Sequence, residues 1–134
     1  MVLKNYFFTI FFIGWVVLIT WLSLFSFSGL DTGSVSIPYA DKVTHLVFYG
    51  GFVVLGCLFI RELKSRKIAC NGAIAIMLPS AVIYGIFIEF LQYTITENRM
   101  AEYGDAIANT IGAGLGALLI WWYFSKKQPL KWKI

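Results

Sequence analysis

Tyr84-Gly85-Ile86-Phe87-Ile88-Glu89-Phe90-Leu91-Gln92-Tyr93 is a run of bulky apolar residues into which a carboxylate and an amide are set three positions apart. At helical spacing Gly85, Glu89 and Gln92 share one face, and the glycine leaves room for a close neighbour. The flanking residues are those of a membrane-embedded helix. An ionisable group in such a helix costs several kcal/mol, so it faces protein or a wet cavity and marks function by default. The structural alternative is that Glu89 and Gln92 serve to bond neighbouring helices together.

Composition agrees with a membrane setting. The chain has 134 residues, 59% of them hydrophobic and 13% charged, far too apolar for a soluble domain of that size. Its net charge of +4 comes from basic residues beside apolar segments rather than among stacked aromatics, so no nucleic-acid partner is expected. Cys57 and Cys70 match no metal-ligand spacing, and no cofactor is assigned.

Four apolar segments imply an all-α bundle of four transmembrane helices, a single domain over 1–134. The first, at about 6–27, is too long for the apolar core of a signal peptide and lacks its small-residue cleavage site, so it reads as a retained span. Thr20, Trp21 and Ser23 near its end read as an interfacial belt with backbone-bonding hydroxyls rather than as a wall of a polar site. The second helix, 41–60, opens with Asp41, His45 and Tyr49 at intervals of four, which places them on one stripe. Asp41 also suits an N-cap. The third, 73–93, carries Pro79, which should bend it or loosen a turn. In the fourth, 105–124, Asp105, Asn109, Gly112 and Gly116 share a face, and the glycine pair admits a close helix that would bring Asn109 within reach of Glu89.

Arg61-Glu62-Leu63-Lys64-Ser65-Arg66-Lys67 holds four basic residues in seven, and Lys126, Lys127, Lys131 and Lys133 follow the last helix. By the positive-inside rule these segments, and with them both termini, are cytoplasmic. Helix direction then gathers Asp41, His45, Glu89, Gln92, Asp105 and Asn109 within one to two turns of the outer surface, beside Lys42 and Arg99. The N-terminal ends of the second and fourth helices add positive dipole ends, and together these groups could hold an anionic headgroup.

The succession Asp41-Lys42-Val43-x-His45-x-x-x-Tyr49, Tyr84-Gly85-x-x-x-Glu89-x-x-Gln92, Arg99, and Asp105-x-x-x-Asn109-x-x-Gly112-x-x-x-Gly116 resembles the short VanZ-like integral membrane proteins of bacteria. The resemblance spans roughly 39–120. It implies a four-helix protein of the bacterial cytoplasmic membrane, related to an accessory factor for resistance to the glycopeptide teicoplanin. The segment before Arg99, Thr94-Ile95-Thr96-Glu97-Asn98, departs from the pattern in having neither glycine nor proline.

The expected function is binding. Asp41, Lys42, His45, Tyr49, Glu89, Gln92, Arg99, Asp105 and Asn109 would recognise a cell-envelope lipid headgroup, a lipid-linked precursor or an amphiphilic glycopeptide. The alternative is a membrane-embedded enzyme on a lipid-linked substrate, with Glu89, His45 and Asp105 as acid-base residues. A metal variant of it would use His45 with Asp41, Glu89 and Asp105, an oxygen-rich set suited to manganese or magnesium. Membrane lipids are the expected surroundings, and the sequence leaves a homo-oligomer open. Ion transport is disfavoured, because the inner halves of the helices carry no charged residue.

Overall fold

The computed structural model describes residues 6–25, 39–64, 67–95, 103–125 and 132. They form four helices, α1 (Phe7–Leu24), α2 (Ala40–Leu63), α3 (Cys70–Ile95) and α4 (Tyr103–Ser125), with no strand among the described residues. Each is long and apolar enough to cross a bilayer, and the large hydrophobic residues left on their outer faces, such as Ile83, Phe87, Phe90 and Leu118, would be untenable in water. The chain is a multi-pass membrane protein.

Packing centres on α2 and α4, the most extensive helix pair. The reason is small residues. A Cβ built on Gly112 would run into the main chain of Leu46, and one on Gly116 into the main chain of Gly50. A Cβ on Gly50 would in turn stand 3.2 Å from the carbonyl oxygen of Gly112. The glycine pair of α4 therefore receives α2 rather than α3, and Gly50 completes the contact from the other side.

Below this contact the buried core is built from Val53, Cys57, Ala73, Met77, Ala81 and Ala113. Both cysteines are buried and free. α1 lies on the flank of α2 and α3, with Trp15 Nε1 donating to the carbonyl of Phe48 at 3.0 Å across the notch left by Gly51.

Two helices exceed the expected bounds at the basic end, for a visible reason. Arg61 and Glu62 there are held by protein rather than released to a loop. Arg61 is buried with its guanidinium 5.3 Å from the ring of Phe124 and 5.1 Å from that of Trp132, a cation-π arrangement. Trp132 Nε1 donates to the carbonyl of Ile68 at 2.8 Å, which ties the segment after α4 to the start of α3.

Glu62 also has a partner that spacing did not reveal. α1 has no side-chain cap of its own, and the Glu62 carboxylate accepts from the Thr9 N–H and hydroxyl, each at 2.8 Å, and from the Phe8 N–H at 3.4 Å. It does across helices what a local N-cap does within one.

One further local expectation changes. The N-cap of α2 is Tyr39, in the left-handed region at φ 67°, so Asp41 lies within the first turn and is not the cap. The α-helical run of α3 passes through Pro79 without a break, and the neighbouring Ser80 hydroxyl donates to the carbonyl of Ile76 at 2.7 Å.

Gly116→Val should separate α2 from α4 and cost about 1–3 kcal/mol or more in equilibrium unfolding in mixed micelles, because backbone cannot yield as a flexible side chain can. Gly14→Ala meets nothing within 4 Å and should be neutral or up to about 1 kcal/mol stabilising. Equal effects from the two would show that the α2–α4 contact is not close.

Candidate functional site

The polar residues of three helices meet at the end opposite Arg61 and Glu62. α2 contributes Asp41, Lys42, His45 and Tyr49 from its first turns, α3 contributes Glu89 and Gln92 from its last turns, and α4 contributes Asp105 and Asn109 from its first. They converge because α2 and α4 run antiparallel to α3, and because Gly85 opens the wall between them. A Cβ at Gly85 would stand 3.1 Å from Tyr49 Cε1 and 3.2 Å from Asn109 Nδ2.

Asn109, 2% exposed, lies at the centre. Its Nδ2 donates to Glu89 Oε1 at 3.5 Å, and its Oδ1 lies 2.8 Å from His45 Nδ1. A carboxylate only accepts, so the amide must turn its NH2 toward Glu89 and its oxygen toward His45. Nδ1 is then the protonated nitrogen, and in a neutral imidazole the lone pair lies on Nε2. Glu89 Oε1 is also 3.8 Å from Nδ1, which puts this carboxylate on the protonated edge of the ring.

The other edge of His45 faces different groups. Nε2 is 3.8 Å from Asp41 Oδ1 and 4.0 Å from Asp105 Oδ2, both too long for hydrogen bonds. Asp105 gives its other oxygen to Lys42, whose Nζ is 3.3 Å from Oδ1. The Lys42 stem lies over Gly104, where a Cβ would stand 2.8 Å from the ammonium. His45, Glu89, Gln92, Asp105 and Asn109 are all buried, whereas the Asp41 side chain is 51% exposed and forms the rim.

Two placements differ from the sequence expectations. Gln92 shares its helix face with Glu89, but its Nε2 donates to the main-chain carbonyl of Ser23 at 2.8 Å, which binds α3 to α1. The α1 end is therefore a wall of the polar region: Ser23 takes part through its carbonyl, and the Thr20 hydroxyl pairs with that of Tyr84 at 2.5 Å. Tyr49 is fully buried, and among the described residues its hydroxyl has no hydrogen-bond partner. Arg99 lies outside the described residues.

The VanZ/LLP1 family model matches residues 6–124, which takes in all of α1, α2 and α3 and nearly all of α4. The chain belongs to this family. No curated protein and no solved structure matches it. In this VanZ/LLP1 chain the matched span contains the polar cluster, the Glu62 cap of α1 and the Arg61–Phe124 contact.

Asn109→Ala strips partners from His45 and Glu89 together and should cost about 1–3 kcal/mol of stability. Thr110→Ala, which removes an exposed hydroxyl bonded within its own helix, should stay within about 0.5 kcal/mol. In a double-mutant cycle His45→Ala and Asn109→Ala should couple by more than about 0.5 kcal/mol, and strict additivity would count against the hydrogen bond.

Proposed function

We propose that this VanZ/LLP1 protein lies in the bacterial cytoplasmic membrane with its polar cluster outward, and that the cluster binds the headgroup of an envelope lipid or of an amphiphilic glycopeptide. The observation that carries this reading is the burial of His45, Glu89, Asp105 and Asn109 from three different helices in one place near the helix ends. A set needed only to hold helices together has no reason to gather at one level, and intramembrane ionisable groups are otherwise avoided.

Orientation follows from charge. Arg61, Lys64 and Lys67 mark the opposite end as cytoplasmic under the positive-inside rule. Lys42 and the adjacent N-terminal ends of α2 and α4 supply positive potential toward a phosphate or carboxylate. Arg99 would add a bidentate donor from the segment between α3 and α4. The buried Tyr49 hydroxyl is a further donor that a ligand oxygen or a water can meet. The family's link with glycopeptide resistance suits a site at the outer surface and supports a contribution to teicoplanin tolerance.

Native mass spectrometry of gently extracted protein tests the reading. Wild type should carry a defined lipid-mass adduct that is lost in Glu89→Gln and in Arg99→Ala. Identical spectra for three equally stable proteins would reject it.

A catalytic reading has one observation in its favour: among the described residues the Nε2 edge of His45 makes no hydrogen bond, as a general base awaiting substrate would not. It requires wild type to release a product from a lipid-linked substrate and Glu89→Gln to release none.

A further inference from the structure

The headgroup reading leaves an electrostatic problem. Asp41, Glu89 and Asp105 bring three carboxylates to a site meant for an anion. The way His45 divides them resolves it. Glu89 and Asn109 occupy the Nδ1 edge, where Asn109 accepts the ring proton. Asp41 and Asp105 occupy the Nε2 edge, where the lone pair of the neutral ring is directed and no hydrogen bond is made among the described residues.

We infer that Asp41, His45 Nε2 and Asp105 bind a divalent cation of the manganese or magnesium type, which in turn presents open coordination positions to an anionic oxygen. One ligand atom from each of the three residues lies within 4.8 Å of the other two. Donor atoms about 2.0–2.5 Å from a shared ion stand roughly 3–5 Å from one another, so the set closes on an ion without rebuilding the backbone.

Three independent features match what such a site needs. His45 is 5% exposed, and among the described residues the ring nitrogen facing the carboxylates is the one without a hydrogen bond. A metal-bound histidine characteristically donates its other N–H to an oxygen that fixes its tautomer, which is what Asn109 Oδ1 does at 2.8 Å. Asp105 is divided between two tasks, with Oδ1 toward Lys42 and Oδ2 toward the His45 lone pair, so the ammonium supports the carboxylate from the side away from the ion.

Donor chemistry selects the ion class. Two carboxylates with one imidazole form a mostly hard set, and cysteine is absent because Cys57 and Cys70 are buried at other levels of the bundle. Glu89 is excluded as a ligand by its position on the protonated edge, which distinguishes this site from one that pools every acid in the cluster. Asp41, half exposed at the rim, leaves one side of the ion open to the membrane surface. There a phosphate or carboxylate oxygen can complete the coordination, and the local sign changes from acidic to cationic.

In its choice of anion this inference rests on the headgroup reading, but the ion site itself is tested without lipid. Full-length protein in a neutral detergent, titrated with Mn2+ and followed by the loss of the free-ion EPR signal, should take up one equivalent. Electron spin echo modulation should show a directly bound nitrogen. Asp105→Asn and Asp41→Asn should weaken binding at least about tenfold, and His45→Gln should abolish the nitrogen modulation. Asp41→Asn alters an exposed side chain and retains the fold, so the test survives any misfolding of the buried variants. Thr110→Ala, outside the cluster, should keep the nitrogen modulation and bind within a few fold of wild type.

Absence of Mn2+ uptake by folded wild type, or equal uptake by Asp41→Asn, overturns the site. Bound Mn2+ in a protein that never carries a lipid adduct upholds the ion site and removes the headgroup reading alone.

Discussion

The approach of α2 and α4 at Gly50, Gly112 and Gly116 is the constraint on which the polar site depends. In a bilayer apolar surface gains little by leaving lipid for protein, so helices associate through close packing and interhelical hydrogen bonds. Main chain against main chain at Gly112 and Leu46 brings the two helices near enough for His45 and Asn109, one turn or less away along each helix, to meet at 2.8 Å. A larger residue at either α4 glycine would lengthen that bond before it touched any member of the cluster. Stability and site geometry are therefore properties of the same contact.

The two ends of the bundle bury charge with different partners. At the basic end Arg61 lies against aromatic rings, and Glu62 caps α1. At the other end the polar groups of three helices meet one another, and the Nε2 edge of His45 and the hydroxyl of Tyr49 make no hydrogen bond among the described residues. A polar network rigidifies a fold as far as its members satisfy one another, and a donor or acceptor left over inside it is open to a ligand or a water.

Much of this was legible in the sequence, because helix periodicity in a membrane is enforced by the need to satisfy every backbone group internally. The stripe Asp41, His45, Tyr49, the face Gly85, Glu89, Gln92 and the face Asp105, Asn109, Gly112, Gly116 each lie on one side of a helix as spacing requires. What spacing does not carry is the identity of the neighbour. Gly112 and Gly116 specify a close helix without naming α2, and Gly50 has no meaning until its partner is known. Gln92 shares a face with Glu89 yet bonds Ser23, because two residues three apart diverge enough to meet different helices. The N-cap of α2 fell on Tyr39, a residue type that local preference does not select, which leaves the Asp41 carboxylate at the rim instead of closing the helix start. Glu62 and Arg61 looked like members of a cytoplasmic charge run, and their contacts with α1 and Trp132 are long-range in the chain.

His45 is the residue at which fold and chemistry are hardest to separate. His45 is buried, and among the described residues only its Nδ1 makes a hydrogen bond. Here one nitrogen is committed to Asn109, and the other points between carboxylates at 3.8 and 4.0 Å, separations too long for hydrogen bonds and suited to a shared ion. The proposed ion would sit between Nε2 and the two carboxylates, at separations that a bridging ion spans and a hydrogen bond does not.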